Sequence, residues 1–251
     1  MINKSEFNGL TINDVSLRQF VDIVQANLIS DEDRSIKVVV TPNIDHFQRL
    51  SINSDTAFVE AYERADFRLC DSRIVKILSY LKGNRINNVV PGSDLTRDII
   101  ASQWIKNYRV TIIGSDSVSV IELKKQYSLS KIEHHNPPMG FTKNPDEVEK
   151  CVDFIHESNP DLVFLAVGSP AQEIVACRLL DKYQRRNNAN FFVFCIGASL
   201  DFLTGKQKRA PAWMQKLSLE WLFRALSNPK RLLPRYIKNF SFVLRYLIST
   251  H

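Results

Sequence analysis

The sequence predicts an α/β protein with a mainly parallel sheet, helices on both faces of that sheet, and a basic helical appendage at the carboxyl end. Short β-branched and aromatic runs alternate with longer amphipathic segments, which is typical of parallel strands joined by crossover helices. Several of these runs end in Gly, Asn, Asp or Ser. Beyond residue 205 the strand pattern stops and basic helical segments follow. We therefore expect a Rossmann-like α/β domain over residues 1–205 and a basic amphipathic appendage over residues 206–251.

Composition and charge limit the classes of partner. Of the 251 residues 44% are hydrophobic, so the chain can form a sizeable core, and the net charge of +6 favours an anionic partner. Nucleic acid, a phosphorylated substrate and an acidic membrane all meet that condition. No apolar run is long enough for a signal peptide or a membrane-spanning helix, so we expect neither. The four cysteines lie far apart among apolar neighbours, which predicts buried free thiols in a reducing compartment.

The first third of the chain predicts a hairpin, a capped helix and a buried strand. Asn8-Gly9 between β-prone segments indicates a small hairpin over residues 6–15. Ser16 is then placed to cap the helix that follows. Residues 36–40 are a β-branched run typical of a buried strand, and residues 56–65 are helical in pattern.

Polar residues at two strand ends have both a local and a functional interpretation. The first strand ends in Thr41-Pro42-Asn43, and a second strand, residues 67–70, runs into Asp71. Local hydrogen bonding explains such residues as turns and caps, with Asp71 as the N-cap of the next helix. The carboxyl ends of parallel strands are also where α/β sheets bind ligands, which would make Asp71 a base or a ligand contact. Position alone leaves both interpretations open.

The middle of the chain continues the alternation. A turn at residues 89–94 leads into an amphipathic helix through Ile105. The strand at residues 110–113 ends in Gly114-Ser115-Asp116, which indicates a helix N-terminus able to receive phosphate but not a dinucleotide fingerprint. After a short strand at residues 132–134, we expect His134 and His135 to be solvated loop histidines without a metal.

Two strands complete the predicted sheet. Residues 161–167 are the clearest buried strand, and Gly168-Ser169-Pro170 connects it to a helix. Residues 191–196 are the last strand, and Gly197-Ala198 opens the connection to the basic appendage. Right-handed crossovers gather the ends of all these strands on one edge of the sheet.

Taken in order, these strand-end motifs resemble the WecG/TagA/CpsF family of bacterial glycosyltransferases, from about residue 7 to residue 240. The resemblance is carried by TPN at 41–43, Asp71 in its strand-to-helix turn, VPGSDL at 90–95, VGSPAQE at 167–173, DFLTGKQKRAP at 201–211 and LEWLFR at 219–224. It implies an inverting transfer of a sugar from a UDP-sugar to a polyprenyl-diphosphate-linked saccharide, for a surface polysaccharide. It also implies that no metal and no cofactor takes part, and that the enzyme is cytoplasmic and peripheral on the inner face of the cell membrane.

The resemblance implies roles for single residues. Asp71 matches a general base that deprotonates the acceptor hydroxyl. Without a metal, the charge that develops on the leaving UDP would be stabilised by arginines and helix N-termini. The positions that match substrate-binding residues, with the basic ones reaching the diphosphates, are Thr41, Asn43, Gly168, Ser169, Gln172, Asp201, Arg209, Arg224, Arg231 and Arg235.

Two departures from the family pattern matter. Ser72 stands where the family usually has Gly, and Val89 stands where it usually has an Arg that contacts diphosphate. We expect Arg73 to supply that charge from the next helix, with Arg85 as the alternative. The departure at Val89 also leaves open a second interpretation: the protein is a catalytically degenerate homologue that only binds a nucleotide-sugar or a lipid-linked glycan.

The appendage interleaves apolar and basic residues at helical spacing from Trp213 onward. Such a helix either lies on an anionic membrane or packs on the α/β domain. In the second case the stems of its Lys and Arg side chains cover apolar surface. The lipid-linked acceptor implied by the resemblance favours the membrane. We expect no nucleic-acid partner, because the known nucleic-acid-binding signatures are missing. The sequence leaves open whether the protein forms a homo-oligomer.

Overall fold

The computed structural model describes residues 2–30, 35–52, 55–183, 190–208, 210–211, 213–214, 220–227 and 229–249, with the side chains of Arg224 and Arg231 left out. It begins with an antiparallel hairpin of β1 (Asn3–Phe7) and β2 (Leu10–Asp14), in which Phe7 pairs with Leu10. The turn between them is Asn8-Gly9, where both residues have positive φ. The predicted hairpin is confirmed.

Six strands form one parallel sheet. They are β3 (Ile36–Val40), β4 (Phe67–Arg68), β5 (Val110–Gly114), β6 (Ile132–His135), β7 (Leu162–Ala166) and β8 (Phe191–Cys195). Their order across the sheet is β4-β3-β8-β7-β5-β6, and each neighbouring pair is parallel. The predicted fold class is therefore confirmed, and all carboxyl ends of these strands lie on one edge.

Helices connect and flank the strands. The described helices are α1 (Leu17–Ile29), α2 (Ile44–Ile52), α3 (Thr56–Arg64), α4 (Arg73–Leu81), α5 (Gly92–Ala101), α6 (Ser117–Tyr127), α7 (Pro145–Glu157), α8 (Ala171–Tyr183), α9 (Ser199–Leu203), α10 (Glu220–Ser227) and α11 (Pro229–Ile248). Ser16 caps α1 as predicted: its hydroxyl accepts from the Gln19 backbone N–H, and the Gln19 side chain accepts from the Ser16 N–H.

The two faces of the sheet carry different helices. On one face, Leu162 and Phe164 of β7 belong to a buried cluster with residues of α1, α5 and α6. On the other face, Val163 and Leu165 belong to a cluster with residues of α3, α7 and α8. This alternation is what the two-residue period of a strand requires when both faces are covered.

Three sequence predictions need correction. The strand expected at residues 67–70 ends at Arg68, since the Cys70 carbonyl instead accepts from Val90 N–H of another segment. The helix expected through Ile105 ends at Ala101, and a 3₁₀ helix (Gln103–Asn107) follows. His134 and His135 are partly buried in β6 rather than in a solvated loop, because β6 pairs with β5 as far as His135.

The four cysteines are buried free thiols, as predicted. Burial raises the pKa of Cys70 to about 12 and that of Cys151 to about 12, because the apolar surroundings disfavour a thiolate.

The helix α11 packs on the α/β domain with one face. Phe242 and Tyr246 are buried in a third cluster with Phe7 of the hairpin and Phe47 of α2. The rings of Phe7 and Tyr246 are 4.6 Å apart between centroids, and those of Phe7 and Phe47 also 4.6 Å. Among the described residues no helix is long and apolar enough to cross a membrane.

Candidate active site

The Asp71 carboxylate is held between two chain segments at the carboxyl edge of the sheet. Its Oδ2 accepts from Asn43 Nδ2 at 3.1 Å, and its Oδ1 accepts from the Gly92 backbone N–H at 3.0 Å. The Asp71 N–H in turn donates to the Pro42 carbonyl at 3.0 Å. Ser72, not Asp71, is the N-cap of α4, since the Ser72 hydroxyl accepts from the Val75 N–H. The interpretation of Asp71 as a helix cap is therefore wrong.

Asn43 both caps α2 and orients Asp71. Its Oδ1 accepts from the backbone N–H groups of Asp45 and His46, which leaves Nδ2 directed at the Asp71 carboxylate. The His46 ring completes the cap, because its Nδ1 accepts from the Asn43 N–H at 3.3 Å. Burial lowers the pKa of His46 to about 4, so the ring is neutral at pH 7 and can accept this bond. This is a capping box with His in place of Glu or Gln.

Thr41 and Gly92 meet closely beside Asp71. A Cβ at Gly92 would lie 2.9 Å from Thr41 Oγ1, so only glycine fits there without a shift of the threonine. Gly92 is the first residue of α5, and its backbone N–H donates the hydrogen bond to Asp71 Oδ1. The negative carboxylate thus lies at the positive end of the α5 dipole.

Asp14 fixes the segment that leads to Gly92. Its two oxygens accept four hydrogen bonds of 2.8 to 2.9 Å, from the backbone and side-chain N–H groups of both Asn87 and Asn88. Burial raises the pKa of Asp14, but these bonds outweigh it and the pKa lies below its usual value. Val89, which stands where the family usually has Arg, packs half-buried against the third cluster.

At the carboxyl edge of the sheet, the connections that follow β5 and β7 turn to opposite faces. After β5 the chain enters α6 on one face, and after β7 it enters α8 on the opposite face, although the two strands are neighbours. Such a reversal opens a crevice at the carboxyl ends of the strands, and open α/β sheets bind ligands there. Across this edge the strand ends follow in the order Asp71, Asn43, Gly197, Ser169, Asp116.

Gln172 and Glu173 form a buried polar group under the β7–α8 loop. Gln172 Oε1 accepts from the Gly197 N–H at 2.8 Å, and its Nε2 donates to Glu173 Oε1 at 3.0 Å. Both side chains are buried, and the Tyr62 hydroxyl lies 3.5 Å from the same Glu173 oxygen. Burial raises the pKa of Glu173, although hydrogen bonds from Gln172 and Ser169 oppose the rise.

The start of the appendage contacts the β5–α6 connection. Asp116 caps α6 by accepting from the Ser119 N–H, and Lys206 donates to the same carboxylate. The hydrogen bond from Lys206 and those from Ser119 hold the pKa of Asp116 well below its usual range. The helix N-terminus that the sequence offered to phosphate therefore already holds a carboxylate. Burial raises the pKa of Asp201, which accepts a bond from Gln207.

The arginines that the sequence assigned to diphosphate binding lie in different surroundings. Arg235 of α11 pairs with the buried Asp45 of α2, with Nε and Oδ1 2.5 Å apart. Arg73 is exposed at the start of α4, and Arg85 lies over the Tyr80 ring. Arg209 lies outside the described residues, as do the side chains of Arg224 and Arg231. Their assigned roles stay predictions.

Sequence reasoning missed Asp14, His46, Arg49 and Glu173. The spacing Asn43-x-x-His46 carries a capping-box signal that could have been recognised. Asp14 and Arg49 act on distant segments, and no local pattern reveals those partners. Among the described residues no three Asp, Glu, His or Cys side chains lie together as a metal-ligand set.

Comparison with known proteins identifies a family for the chain. The chain matches, over residues 5–250, the model of the Glycosyl transferase WecG/TagA/CpsF family. It is similar to the N-acetylglucosaminyldiphosphoundecaprenol N-acetyl-beta-D-mannosaminyltransferase of Bacillus subtilis (strain 168), with 28% identity over 230 residues, 88% of this chain and 84% of that protein. The protein of the same name from Bacillus spizizenii (strain W23) is 28% identical over 239 residues, 92% of this chain and 88% of that protein.

Proposed function

Because the chain belongs to the WecG/TagA/CpsF family of glycosyltransferases, we propose that it transfers an N-acetylhexosaminyl or hexosyl group from a UDP-sugar to a polyprenyl-diphosphate-linked saccharide. The reaction inverts the anomeric centre and needs no metal. The observation that carries the proposal is the Asp71 carboxylate, held by Asn43 and Gly92 at the edge where α/β sheets bind ligands.

Asp71 acts as the general base in this reaction. Asn43 donates to its Oδ2 and the Gly92 N–H donates to its Oδ1, which fixes the orientation of the carboxylate, and a carboxylate oxygen can accept more than one hydrogen bond. As the acceptor oxygen bonds to the anomeric carbon, its proton passes to Asp71 and the bond from that carbon to the UDP oxygen breaks. UDP leaves with the electron pair. A single displacement of this kind inverts the anomeric configuration.

The donor lies across the strand ends. Its nucleoside occupies the crevice between the β5 and β7 connections, and its sugar lies at Asp71 beyond β4. From β4 to β7 there are three strand spacings, about 14 Å at ~4.8 Å each. A UDP-sugar can cross that distance in an extended conformation, with its diphosphate over β8 and β7. Thr41, Gly168 and Ser169 then line its course, and Gln172, the fourth residue predicted to bind substrate here, supports them from beneath through its bond to Gly197.

The first substrates to test come from the relatives. Both Bacillus proteins are named for N-acetylmannosamine as the transferred group and N-acetylglucosaminyldiphosphoundecaprenol as the acceptor. We propose UDP-N-acetylmannosamine as donor and a short-chain polyprenyl-diphosphate N-acetylglucosamine as acceptor. UDP release and the anomeric proton coupling of the product measure transfer and inversion, and the rate should be unchanged in EDTA.

The Asp71→Asn variant tests the base. Transfer should fall by about 10²- to 10⁴-fold, the usual contribution of general base catalysis. Asp98→Asn is the matched control, since Asp98 is an exposed carboxylate that pairs with Arg97 on α5. Full activity in Asp71→Asn, or no transfer of any UDP-sugar to a lipid-linked saccharide by the unmodified protein, would refute the proposal.

The outer face of α11 binds the anionic inner surface of the membrane in this proposal. Exposed apolar side chains recur along it at Leu233, Ile237, Phe240, Leu244 and Leu247. Basic residues Lys230, Lys238 and Arg245 accompany this stripe, as in helices that lie in a membrane interface. The appendage over residues 206–251 would thus hold the active site near a lipid-linked acceptor.

Vesicle sedimentation tests this surface. Changing Ile237 and Phe240 to Ser should reduce binding to vesicles that contain phosphatidylglycerol, because each apolar group buried in lipid adds to the binding free energy. Changing Val118 and Ile121 on α6 to Ser is the matched control, since these side chains have similar exposure and the same spacing. Equal loss in both variants would argue against a membrane face on α11.

A further inference from the structure

Arg49 on α2 is a partly buried cation that forms no ion pair with any described carboxylate. Its Nη1 donates to Ser169 Oγ at 2.7 Å, and its guanidinium lies over the Phe58 ring, 4.0 Å from the ring centroid. Within the described residues these are its contacts, and no carboxylate lies within ion-pair distance. One of five N–H donors is used, so four have no acceptor in the described part of the protein.

The carboxyl groups near Arg49 are engaged elsewhere. Asp45 lies one helical turn before it on the same face of α2, but Asp45 pairs with Arg235. Glu173 is fully buried and accepts from Gln172 and from Ser169, so its attraction to Arg49 acts across Ser169 and not through an ion pair. In the described part of the protein, Arg49 therefore has no carboxylate in direct contact. A partly desolvated guanidinium of this kind attracts an anion more strongly than an exposed one does.

The position of Arg49 decides which anion fits. Ser169 belongs to the loop after β7, at the edge where the β5 and β7 connections turn to opposite faces of the sheet. The path proposed for the donor places its diphosphate over β8 and β7, and so beside this loop. The acceptor diphosphate, by contrast, enters with its sugar at Asp71, at the opposite end of the edge. A nucleoside diphosphate is therefore the ligand that Arg49 is placed to bind.

We propose that Arg49 binds the diphosphate of the nucleotide donor through the guanidinium N–H groups that Ser169 does not use. This inference rests on the proposed function. Arg49 then supplies part of the positive charge that Val89 does not. Ser169 and Phe58 hold the guanidinium in place before the donor arrives, so less conformational entropy is lost on binding.

Calorimetric titration with UDP and with uridine tests this role without any activity measurement. In Arg49→Gln the dissociation constant of UDP should rise about tenfold or more, because a charge-assisted contact to phosphate is lost. Binding of uridine, which has no phosphate, should stay the same. UDP binding equal to that of the unmodified protein, or an equal loss for UDP and uridine, would overturn the inference.

Two further variants separate charge from structure. Arg64→Gln is the matched control. Arg64 of α3 is a partly exposed arginine that pairs with Asp181 in the last turn of α8 at 2.6 Å, whereas Arg49 bonds to the loop before α8. The affinity of Arg64→Gln for UDP should stay within about twofold of that of the unmodified protein, because the change removes only a surface ion pair. Arg49→Lys keeps the charge without the planar fork and serves if Arg49→Gln does not fold. An unchanged UDP affinity in Arg49→Lys that accompanies an unfolded Arg49→Gln would overturn the inference.

The outcomes also distinguish this role from the proposed function. If the unmodified protein binds no UDP, the proposed donor is wrong and the inference falls with it. If it binds UDP and Arg49→Gln binds it equally well, only the inference fails. A loss of affinity for a short-chain polyprenyl diphosphate in place of UDP would assign Arg49 to the acceptor and would likewise overturn it.

Discussion

Replacing Asp14 by Asn should destabilise the protein and loosen the segment that positions Gly92. Asp14 is 6% exposed and accepts four hydrogen bonds from Asn87 and Asn88. The side-chain amides can turn toward water, but the two backbone N–H groups keep their direction. In Asp14→Asn the one remaining side-chain oxygen can accept from one of these N–H groups, and the NH2 group faces the other. The buried N–H that loses its acceptor and the weaker remaining bond together cost about 3 kcal/mol. For a chain of this size that corresponds to a fall in Tm of roughly 6–12 °C.

The pH dependence of this cost gives the sharper test. The pKa of Asp14 is lower in the folded protein than its ordinary value of 3.8, because its hydrogen bonds outweigh burial. Its contribution to stability is therefore complete above the unfolded pKa and is lost as pH falls through the folded pKa. Urea unfolding of the unmodified protein and of Asp14→Asn should differ by a constant amount from about pH 5 to 7 and converge below about pH 4.

Asp181→Asn serves as the control for Asp14→Asn. Asp181 is 47% exposed and pairs with Arg64 on the surface, so its loss should cost about 1 kcal/mol or less. If Asp14→Asn were as stable as Asp181→Asn, or if its deficit did not change between pH 7 and pH 3, the account of the Asp14 carboxylate would be refuted.

Two other predictions follow from close contacts and burial. Gly92→Ala should lower the free energy of unfolding by about 1–3 kcal/mol, since its Cβ would lie 2.9 Å from Thr41 Oγ1, and adding Thr41→Ala should restore much of that loss in the same urea experiment. A Gly92→Ala protein of normal stability would contradict the tight fit. The buried thiols should react with Ellman's reagent at pH 8 only after unfolding, because burial raises the pKa of Cys177 to about 11 and those of Cys70 and Cys151 to about 12. Rapid reaction of the folded protein would show that these thiols are accessible.

The sheet could be predicted because its signals are local. β3, β7 and β8 are apolar runs with both faces buried, and such runs stand out in a sequence without any knowledge of their partners. The Asn8-Gly9 turn and the Ser16 cap also depend on neighbours within a few residues. Errors arose where a distant segment decided the outcome. β4 ends early because Cys70 bonds to Val90, twenty residues further along the chain.

The strand-end residues Thr41, Asn43 and Asp71 could be singled out in the same way, but their arrangement could not. Position alone allowed Asp71 to be a helix cap, and Ser72 turned out to be that cap. The Asp71 carboxylate is instead bound by Asn43 and Gly92, which lie 28 and 21 residues away in sequence. Contacts of that separation leave no periodic trace, since they depend on how crossovers bring strand ends together.

The parallel α/β class, the buried thiols and the resemblance to a glycosyltransferase family could all be predicted from the sequence alone. Each of these follows from composition, from periodicity or from motifs that are continuous in the chain. Three contacts became visible in the folded protein alone: Asp14 fixes the segment before Gly92, Arg235 pairs with Asp45, and Arg49 donates to Ser169 in the loop after β7. They were hidden in the sequence because a hydrogen bond or an ion pair depends on distances between side chains, and those distances exist only after the sheet has assembled.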